Sequence, residues 1–260
     1  MTGQSLSTVV ARLRAAGCVF AEDEARLLVS AAPTPAELAD MVRRRADGMP
    51  LEYVLGWAEF CGLRIAVDPG VFVPRRRTEF LVGEAAALAP VRAVVVDLCC
   101  GSGALGVALA AVGDRVELHA ADIDPAAVRC ARRNVTAAGG RVYQGNLYQP
   151  LPASLCGRVD ILLANVPYVP TDEIGLLPAE ARVHEARVAL DGGADGLDVL
   201  RRVAAEAPRW LASGGHLLVE TSERQAETAV ASMAGAGLAP RVVSSEDRYA
   251  TVVIGTRSRS

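Results

Sequence analysis

Asn165-Val166-Pro167-Tyr168 closes the apolar run Val159-Asp160-Ile161-Leu162-Leu163-Ala164, and its residue types suit a grip on a planar NH2 group. The Asn side chain carries an acceptor oxygen and donor hydrogens in one plane. Pro167 restricts Val166 to extended backbone, so the Val166 carbonyl can be aimed at a ligand. Tyr168 offers a flat face on which another planar group can stack. Where a strand runs out into a loop, these groups can hold an NH2 from two sides.

A second chemical block lies upstream. Asp97-Leu98-Cys99-Cys100-Gly101-Ser102-Gly103-Ala104-Leu105-Gly106 follows an apolar strand and opens a helix. Glycines there let the backbone turn sharply and approach a ligand closely. Gly101 to Gly106 spells Gly-x-Gly-x-x-Gly, which several nucleotide and S-adenosylmethionine folds share and which a ligand-free tight turn also satisfies. Asp122, at the end of the next strand, can bind both hydroxyls of an adenosine ribose. Asp124 reads instead as the cap of a helix starting at Pro125. Asp97 bears on which ligand is bound. A dinucleotide needs charge compensation for its pyrophosphate over the glycine turn. An acid there repels phosphate and suits the ammonium and sulfonium of S-adenosylmethionine. Asp97 can equally accept hydrogen bonds from loop amides, and the two roles are compatible. The residues separate the two ligands only in part: they favour S-adenosylmethionine over a dinucleotide as the expected cofactor, with Asp97, Cys99, Cys100, Gly101, Ser102, Gly103 and Asp122 as the candidates to hold it.

These groups need a scaffold, and the chain alternates in the right way. Candidate strands are 93–98, 116–121, 141–145, 160–165, 215–221, 239–244 and 250–255, with helices at 104–111, 125–138, 197–212 and 224–236. Such alternation predicts an α/β fold with a mostly parallel sheet covered on both faces. The short link 245–249 makes the last two strands an antiparallel pair. That combination fits a Rossmann-like class I methyltransferase sheet better than a dehydrogenase.

Ahead of the sheet, Leu6, Val9, Val10 and Leu13, then Ala25, Leu27 and Leu28, recur at helical spacing. Thr34 can cap a third helix beginning at Pro35. Its last turns carry Arg43 to Arg45, read as a solvated helix end that suits the dipole. Phe60, Leu63, Ile65, Val67, Val71 and Val73 flank Asp68-Pro69-Gly70 as a hairpin signal. The expected organisation is a helical substrate-docking domain at 1–57, a β-hairpin connector at 58–73 and a methyltransferase domain at 74–260, with a frayed tail from Arg257 to Ser260.

The 260 residues carry a net charge of -3, which gives no sign of nucleic-acid or anionic-membrane binding. Lys is absent, so all 27 basic residues are Arg. The 6 cysteines form no Cys-x-x-Cys pair and have no His at ligand spacing, which argues against a metal site. No stretch reads as a signal peptide or a bilayer span, so a reducing cytoplasm is the expected location.

Several blocks together resemble the PrmC/HemK family, the S-adenosylmethionine-dependent methyltransferases that modify the glutamine N5 of peptide-chain release factors. Residues 48–56 resemble its exit from an amino-terminal helical domain. Glu59-Phe60-Cys61-Gly62-Leu63, Val73-Pro74-Arg75 and Thr78-Glu79 resemble its hairpin and following turn. The glycine loop, Asp122 and the Asn-x-Pro-Tyr tetrad come in the family's order. Residues 185–190 and 192–197 match the segment after it, and Glu220 and Gln225 the next block. The chain departs from the usual spelling at four places. Val166 stands for Pro, Cys99-Cys100 for Gly-Thr, Arg76 and Arg77 for Pro and an acid, and Asn146 for the Asp that meets the adenine amino group. The Asn146 carbonyl oxygen can accept the same bond.

The resemblance implies that Asn165, Val166, Pro167 and Tyr168 form the catalytic set. It adds Asn146, Leu147 and Asn165 to the cofactor set, and it places Phe72, Pro74 and Thr78 beside the methionine end. Those three also suit the packing of a connector. His184 reads as a surface or structural residue rather than a base, and Glu185 and Arg187 as pairing locally or ordering their loop. The implied partner is a protein substrate such as a release factor, with no nucleic acid or membrane. The alternatives are a small-molecule or peptide N-methyltransferase and a non-catalytic cofactor-binding protein.

Overall fold

The computed structural model describes residues 5–259, so both ends of the expected domain division, residues 1–4 and Ser260, lie outside it. The chain enters through α1 (Leu6–Ala15), α2 (Ala21–Ala31), α3 (Pro35–Ala46) and α4 (Leu51–Leu55). Val9, Leu13, Ala25, Leu28, Leu38 and Val42 bury a shared core of their own. Each fully buried Val or Leu contributes roughly 1.5–3 kcal/mol. Thr34 caps α3 as expected, its side chain accepting from the Glu37 amide.

Arg45 is not solvated. It lies 9% exposed, with Nε and Nη2 on the two Glu24 oxygens at 2.6 and 3.1 Å and Nη1 on Glu180 at 2.6 Å. Helical spacing places Arg45 on the same face as Leu38 and Val42, so a buried acid has to meet it.

The antiparallel strands β1 (Trp57–Phe60) and β2 (Leu63–Ala66) pair with Phe60 opposite Leu63. Their turn is Cys61-Gly62, with φ +49° and +73°. Two left-handed residues are what a two-residue hairpin needs for its twist to match the strands. The hairpin is therefore shorter than expected from sequence, and Asp68-Pro69-Gly70 is a separate bend. Val67, Val71 and Val73 leave the ladder to pack with Tyr53, Ala127 and Cys130.

The main sheet joins β3 (Val94–Leu98), β4 (Glu117–Asp122), β5 (Arg141–Gln144), β6 (Val159–Ala164), β7 (Leu211–Thr221), β8 (Leu238–Ser245) and β9 (Ala250–Arg257) in the order β5-β4-β3-β6-β7-β9-β8. Strands β5 to β7 pair in parallel, and β9 runs antiparallel to both β7 and β8. The reversed strand thus lies inside the sheet, one place from its edge. Arg257 belongs to β9 and donates to the Leu211 carbonyl, so the chain is ordered further than the expected frayed tail.

The remaining helices are α5 (Glu79–Leu88), α6 (Ala104–Val112), α7 (Pro125–Ala137), α8 (Ala179–His184), α9 (Asp198–Trp210) and α10 (Ala226–Gly235). Val95, Ile161 and Leu163 face α5 and α6, while Val96, Leu162 and Ala164 face α9 and α10. Helix α5 escaped the sequence reading because Glu79-Phe80-Leu81-Val82-Gly83-Glu84-Ala85-Ala86-Ala87-Leu88 has no clear polar face and a Gly at its centre. Among the described residues no helix is long and apolar enough to cross a membrane.

The Arg45 network generates a test. Glu24→Ala leaves the buried guanidinium short of its bidentate partner and should cost about 3 kcal/mol or more in urea unfolding. Glu180, with its side chain 47% exposed, should cost less than about 1 kcal/mol when changed to Ala. Equal losses would contradict the assignment of Glu24 as the partner that compensates the buried charge.

Candidate active site

The carboxyl ends of β3, β4 and β6 lie side by side, with Leu98 opposite both Ala121 and Ala164. The residues that follow, Cys99, Asp122 and Asn165, therefore emerge at one rim. They border a cavity of about 750 Å³ that also takes in Phe72, Pro74, Thr78, Asn146, Leu147 and Tyr168. The tetrad and the glycine loop, far apart in sequence, thus share one space.

The loop holds its shape by hydrogen bonds to the adjacent strand. Cys100 N donates to the Ala121 carbonyl at 3.1 Å, and Gly101 N donates to Asp122 Oδ2 at 2.8 Å. Asp122 Oδ1 accepts from Asp124 N at 2.9 Å, and Asp124 caps α7 by accepting from Ala126 N. A carboxylate has about four acceptor sites, so Asp122 retains capacity toward the cavity. Burial raises its pKa, and amide donors oppose that rise. Cys99 and Leu147 both line the cavity with left-handed backbones, φ +54° and +51°. Such non-glycine residues cluster where the surroundings over-determine the backbone. Burial pushes the Cys99 and Cys100 thiols up, so both remain protonated apolar lining.

The three glycines divide by role. At Gly101, φ +56°, an added Cβ would meet only Phe72 Cβ at 3.9 Å, and the residue lines the cavity. Gly103 is turned away, where a Cβ would lie 2.5 Å from Val135 Cγ2 of α7. Gly106 sits against Leu118 and Asp97, and its amide donates to Asp97 Oδ2 at 3.0 Å. Asp97 is 1% exposed and does not line the cavity. Of its two compatible roles, the geometry exhibits the one within the loop. Burial, opposed by the Gly106 amide, moves its pKa from 3.8 up to about 7.

The tetrad is cradled from behind. Asn165 Oδ1 is buried with no hydrogen-bond partner. Val166 is 1% exposed and belongs to the core cluster of Leu98 and Leu197, so its branched side chain packs inward. Gln225 Nε2 donates to the Tyr168 carbonyl at 2.9 Å. A Cβ on Gly192 would lie 2.7 Å from the Pro167 carbonyl oxygen, and one on Gly196, φ +78°, would collide with the Tyr168 carbonyl. The glycine-rich segment after the tetrad is thus a mould for the tetrad backbone. Tyr168 Oη donates to Glu220 Oε1 at 3.2 Å and accepts from Arg77. Burial and Glu220 push the Tyr168 phenol up to about 12.

The connector and the loop after the tetrad are joined. Glu185 Oε1 accepts from the Val73 amide at 3.2 Å and from the Arg75 guanidinium. Glu185 therefore pairs across the cavity wall, while Arg187 pairs locally with Asp191 at 3.0 Å. His184 does not line the cavity, and its carbonyl accepts from Tyr53 Oη. Thr78 Oγ1 is buried and unpartnered at the rim. The sequence reading passed over Arg202, which lines the cavity and donates to Asn146 Oδ1 at 2.7 Å. A helical Arg on α9 carries no local signal of this. Among the described residues no group of His, Cys, Asp or Glu could hold a metal ion.

The family described as Methyltransferase small domain matches residues 62–196. The release factor glutamine methyltransferase of Geobacter sulfurreducens is 40% identical over 228 residues, 86% of this chain and 79% of that protein. A 4-amino-L-phenylalanine/4-methylamino-L-phenylalanine methyltransferase of Streptomyces pristinaespiralis is 38% identical, covering 75% and 68% respectively. A methyltransferase structure from Pyrococcus furiosus superposes with a TM-score of 0.57 at 15% identity, covering 76% of this chain and 90% of that one. That likeness is one of fold.

Two outcomes test this geometry. Gly196→Ala must place a Cβ at positive φ against the tetrad, costing at least about 1 kcal/mol from the backbone alone. A lowered melting temperature is expected, whereas Gly175→Ala, with nothing within 4 Å of the added carbon, should leave it unchanged. The second concerns Asp97, whose pKa is raised on folding, so the folded protein keeps a proton that the unfolded chain releases. Its contribution to stability is therefore greatest at low pH and declines as pH rises from about 4 to 7. Asp97→Asn should flatten that part of a urea-midpoint profile, and an unaltered slope would remove Asp97 as its source.

Proposed function

We infer the reaction from one premise: the chain belongs to the release factor glutamine methyltransferase family and is an S-adenosylmethionine-dependent methyltransferase. The acceptor we propose is the side-chain amide nitrogen of a glutamine in a protein, a peptide-chain release factor in the first instance. The observation that carries this reading is Asn165, which lines the cavity and whose Oδ1 has no hydrogen-bond donor. A buried acceptor left without a partner costs about 1–3 kcal/mol, which a bound NH2 relieves.

The residues present suit the cofactor. Asp122 has free acceptor sites for ribose hydroxyls, Gly101 leaves room for close approach, and Cys99, Cys100, Ser102, Asn146 and Leu147 border the same space. S-adenosylmethionine, when bound, supplies a methyl group on a sulfonium.

An amide nitrogen is a poor nucleophile because its lone pair is delocalised into the carbonyl, so placement supplies most of the rate. Asn165 Oδ1 and the Val166 carbonyl accept the two N–H groups and fix the nitrogen. The same two acceptors stabilise positive charge as it develops there. Tyr168 covers the amide plane. The methylated nitrogen is strongly acidic and releases its proton to water. His184 lies off the cavity and the Tyr168 hydroxyl already donates to Glu220, so neither serves as base. The inward packing of Val166 supports an acceptor grip that survives the missing proline. A translation factor as substrate implies action in the cytoplasm.

A second reading has one observation behind it, the 38% identity to a methyltransferase of 4-amino-L-phenylalanine. An aryl amine also presents a planar NH2.

The test is transfer from labelled S-adenosylmethionine to purified release factors and, in parallel, to 4-amino-L-phenylalanine. Label on a release-factor glutamine, located by mass spectrometry, is the expected result. Label on the amino acid alone would transfer the assignment to the second reading. Asn165→Ala should lower turnover by roughly two to three decades while S-adenosylhomocysteine affinity changes much less.

A further inference from the structure

We propose that Arg77 is a positioning residue for the acceptor: with the buried Glu220 it clamps Tyr168 so that the tetrad offers the ring face, not the hydroxyl, to the acceptor. This rests on the methyltransferase reading above.

The hydrogen-bond directions are forced. Arginine only donates, so the Tyr168 oxygen accepts from Arg77 Nη2, and its single hydrogen goes to Glu220 Oε1 at 3.2 Å. Arg77 Nε donates to that same Glu220 oxygen at 3.0 Å, which closes a ring of three groups. The Glu220 side chain is 3% exposed and its Oε2 has no partner. A buried carboxylate holds its cation firmly, because leaving it unpaired is costly. Arg77 comes from the short turn after the hairpin, Glu220 from β7 and Tyr168 from the loop after β6. Three separate elements are therefore pinned at one point of the wall.

The backbone end of Tyr168 is held independently by Gln225. With its carbonyl and hydroxyl both committed, the ring has no free polar group for the acceptor. Arg77 and Glu220 also balance each other's charge, which keeps this wall neutral for a neutral amide.

The clamp can be read without any acceptor. Protein carrying 3-fluorotyrosine has 5 tyrosines, and Tyr168→Phe assigns the signal of residue 168. Arg77→Ala should shift and broaden that fluorine resonance, and Arg76→Ala, whose side chain is 82% exposed, should not. A resonance unmoved by Arg77→Ala overturns the clamp.

The functional role is read by a double-mutant cycle on methyl transfer, with melting temperature and S-adenosylhomocysteine calorimetry as controls for fold and cofactor site. Misplacing a positioning group by an ångström costs about 100-fold. Arg77→Ala should lower kcat/KM by about that factor with cofactor affinity unchanged, and Arg77→Lys should recover at least about a tenth of wild-type activity. In the Tyr168→Phe background, adding Arg77→Ala should cost less than about threefold more, because the shared contact is already gone. Fully multiplicative effects, or a shifted resonance with unchanged kcat/KM, overturn the positioning role alone. If wild type labels an extract protein but no release factor, only the release-factor assignment falls, and the cycle is read on that protein. A wild type that labels nothing overturns both.

Discussion

The pairing of β3 with β6 sets where the two chemical blocks of the site meet. Leu98 lies opposite Ala164, so the loop after β3 and the tetrad after β6 leave the sheet as neighbours. From there the chain diverges. After β3 it passes to α6 on one face, and after β6 it reaches α9 on the other. A crevice must open between them at the carboxyl ends of the strands, which is where open parallel sheets bind ligands. A slip of one residue in this register would turn alternate side chains to the wrong face and separate the two blocks.

Around that crevice, segments with no chemistry of their own hold the chemical groups still. Buried charge is the device used repeatedly. Glu185 ties the connector to the loop after the tetrad through Val73 and Arg75. Arg45 ties the helical unit to Glu180, itself a lining residue of the cavity. Glu220 ties Arg77 to Tyr168. In each case one charge is removed from water, the carboxylate at Glu185 and Glu220 and the guanidinium at Arg45, so the elements carrying its partners are drawn into a defined place. Preorganisation of this kind is what a reaction limited by placement requires.

The glycines show where local pattern reading is reliable and where it stops. Gly-x-Gly-x-x-Gly correctly marks a strand-loop-helix turn, yet only Gly101 faces the cavity. Gly103 is required by the approach of Val135 and Gly106 by Leu118 and Asp97. The motif cannot distinguish close approach to a ligand from close approach to another helix, because the backbone demand is the same. The segment 192–196 was visible only as a matching block. Its role as a mould for Pro167 and Tyr168 depends on contacts at no helical or strand spacing.

The sequence alone determined the α/β class, the positions of the main strands and the cap at Thr34, and it singled out the tetrad and Asp122, which the fold sets around one cavity. These follow from alternation, from capping chemistry and from residue types adjacent in the chain. Tertiary structure decided the rest. It moved the hairpin turn to Cys61-Gly62, made a helix of the apolar segment after Thr78, buried Arg45 and aimed Asp97 into the loop. It also brought Arg77 and Arg202 to the cavity from distant elements and set the buried Glu220 behind Arg77. Local pattern carries information only over the few residues that one strand or helical turn spans. Which acid meets which arginine is set by long-range packing, and the cost of burying either one alone decides the pairing.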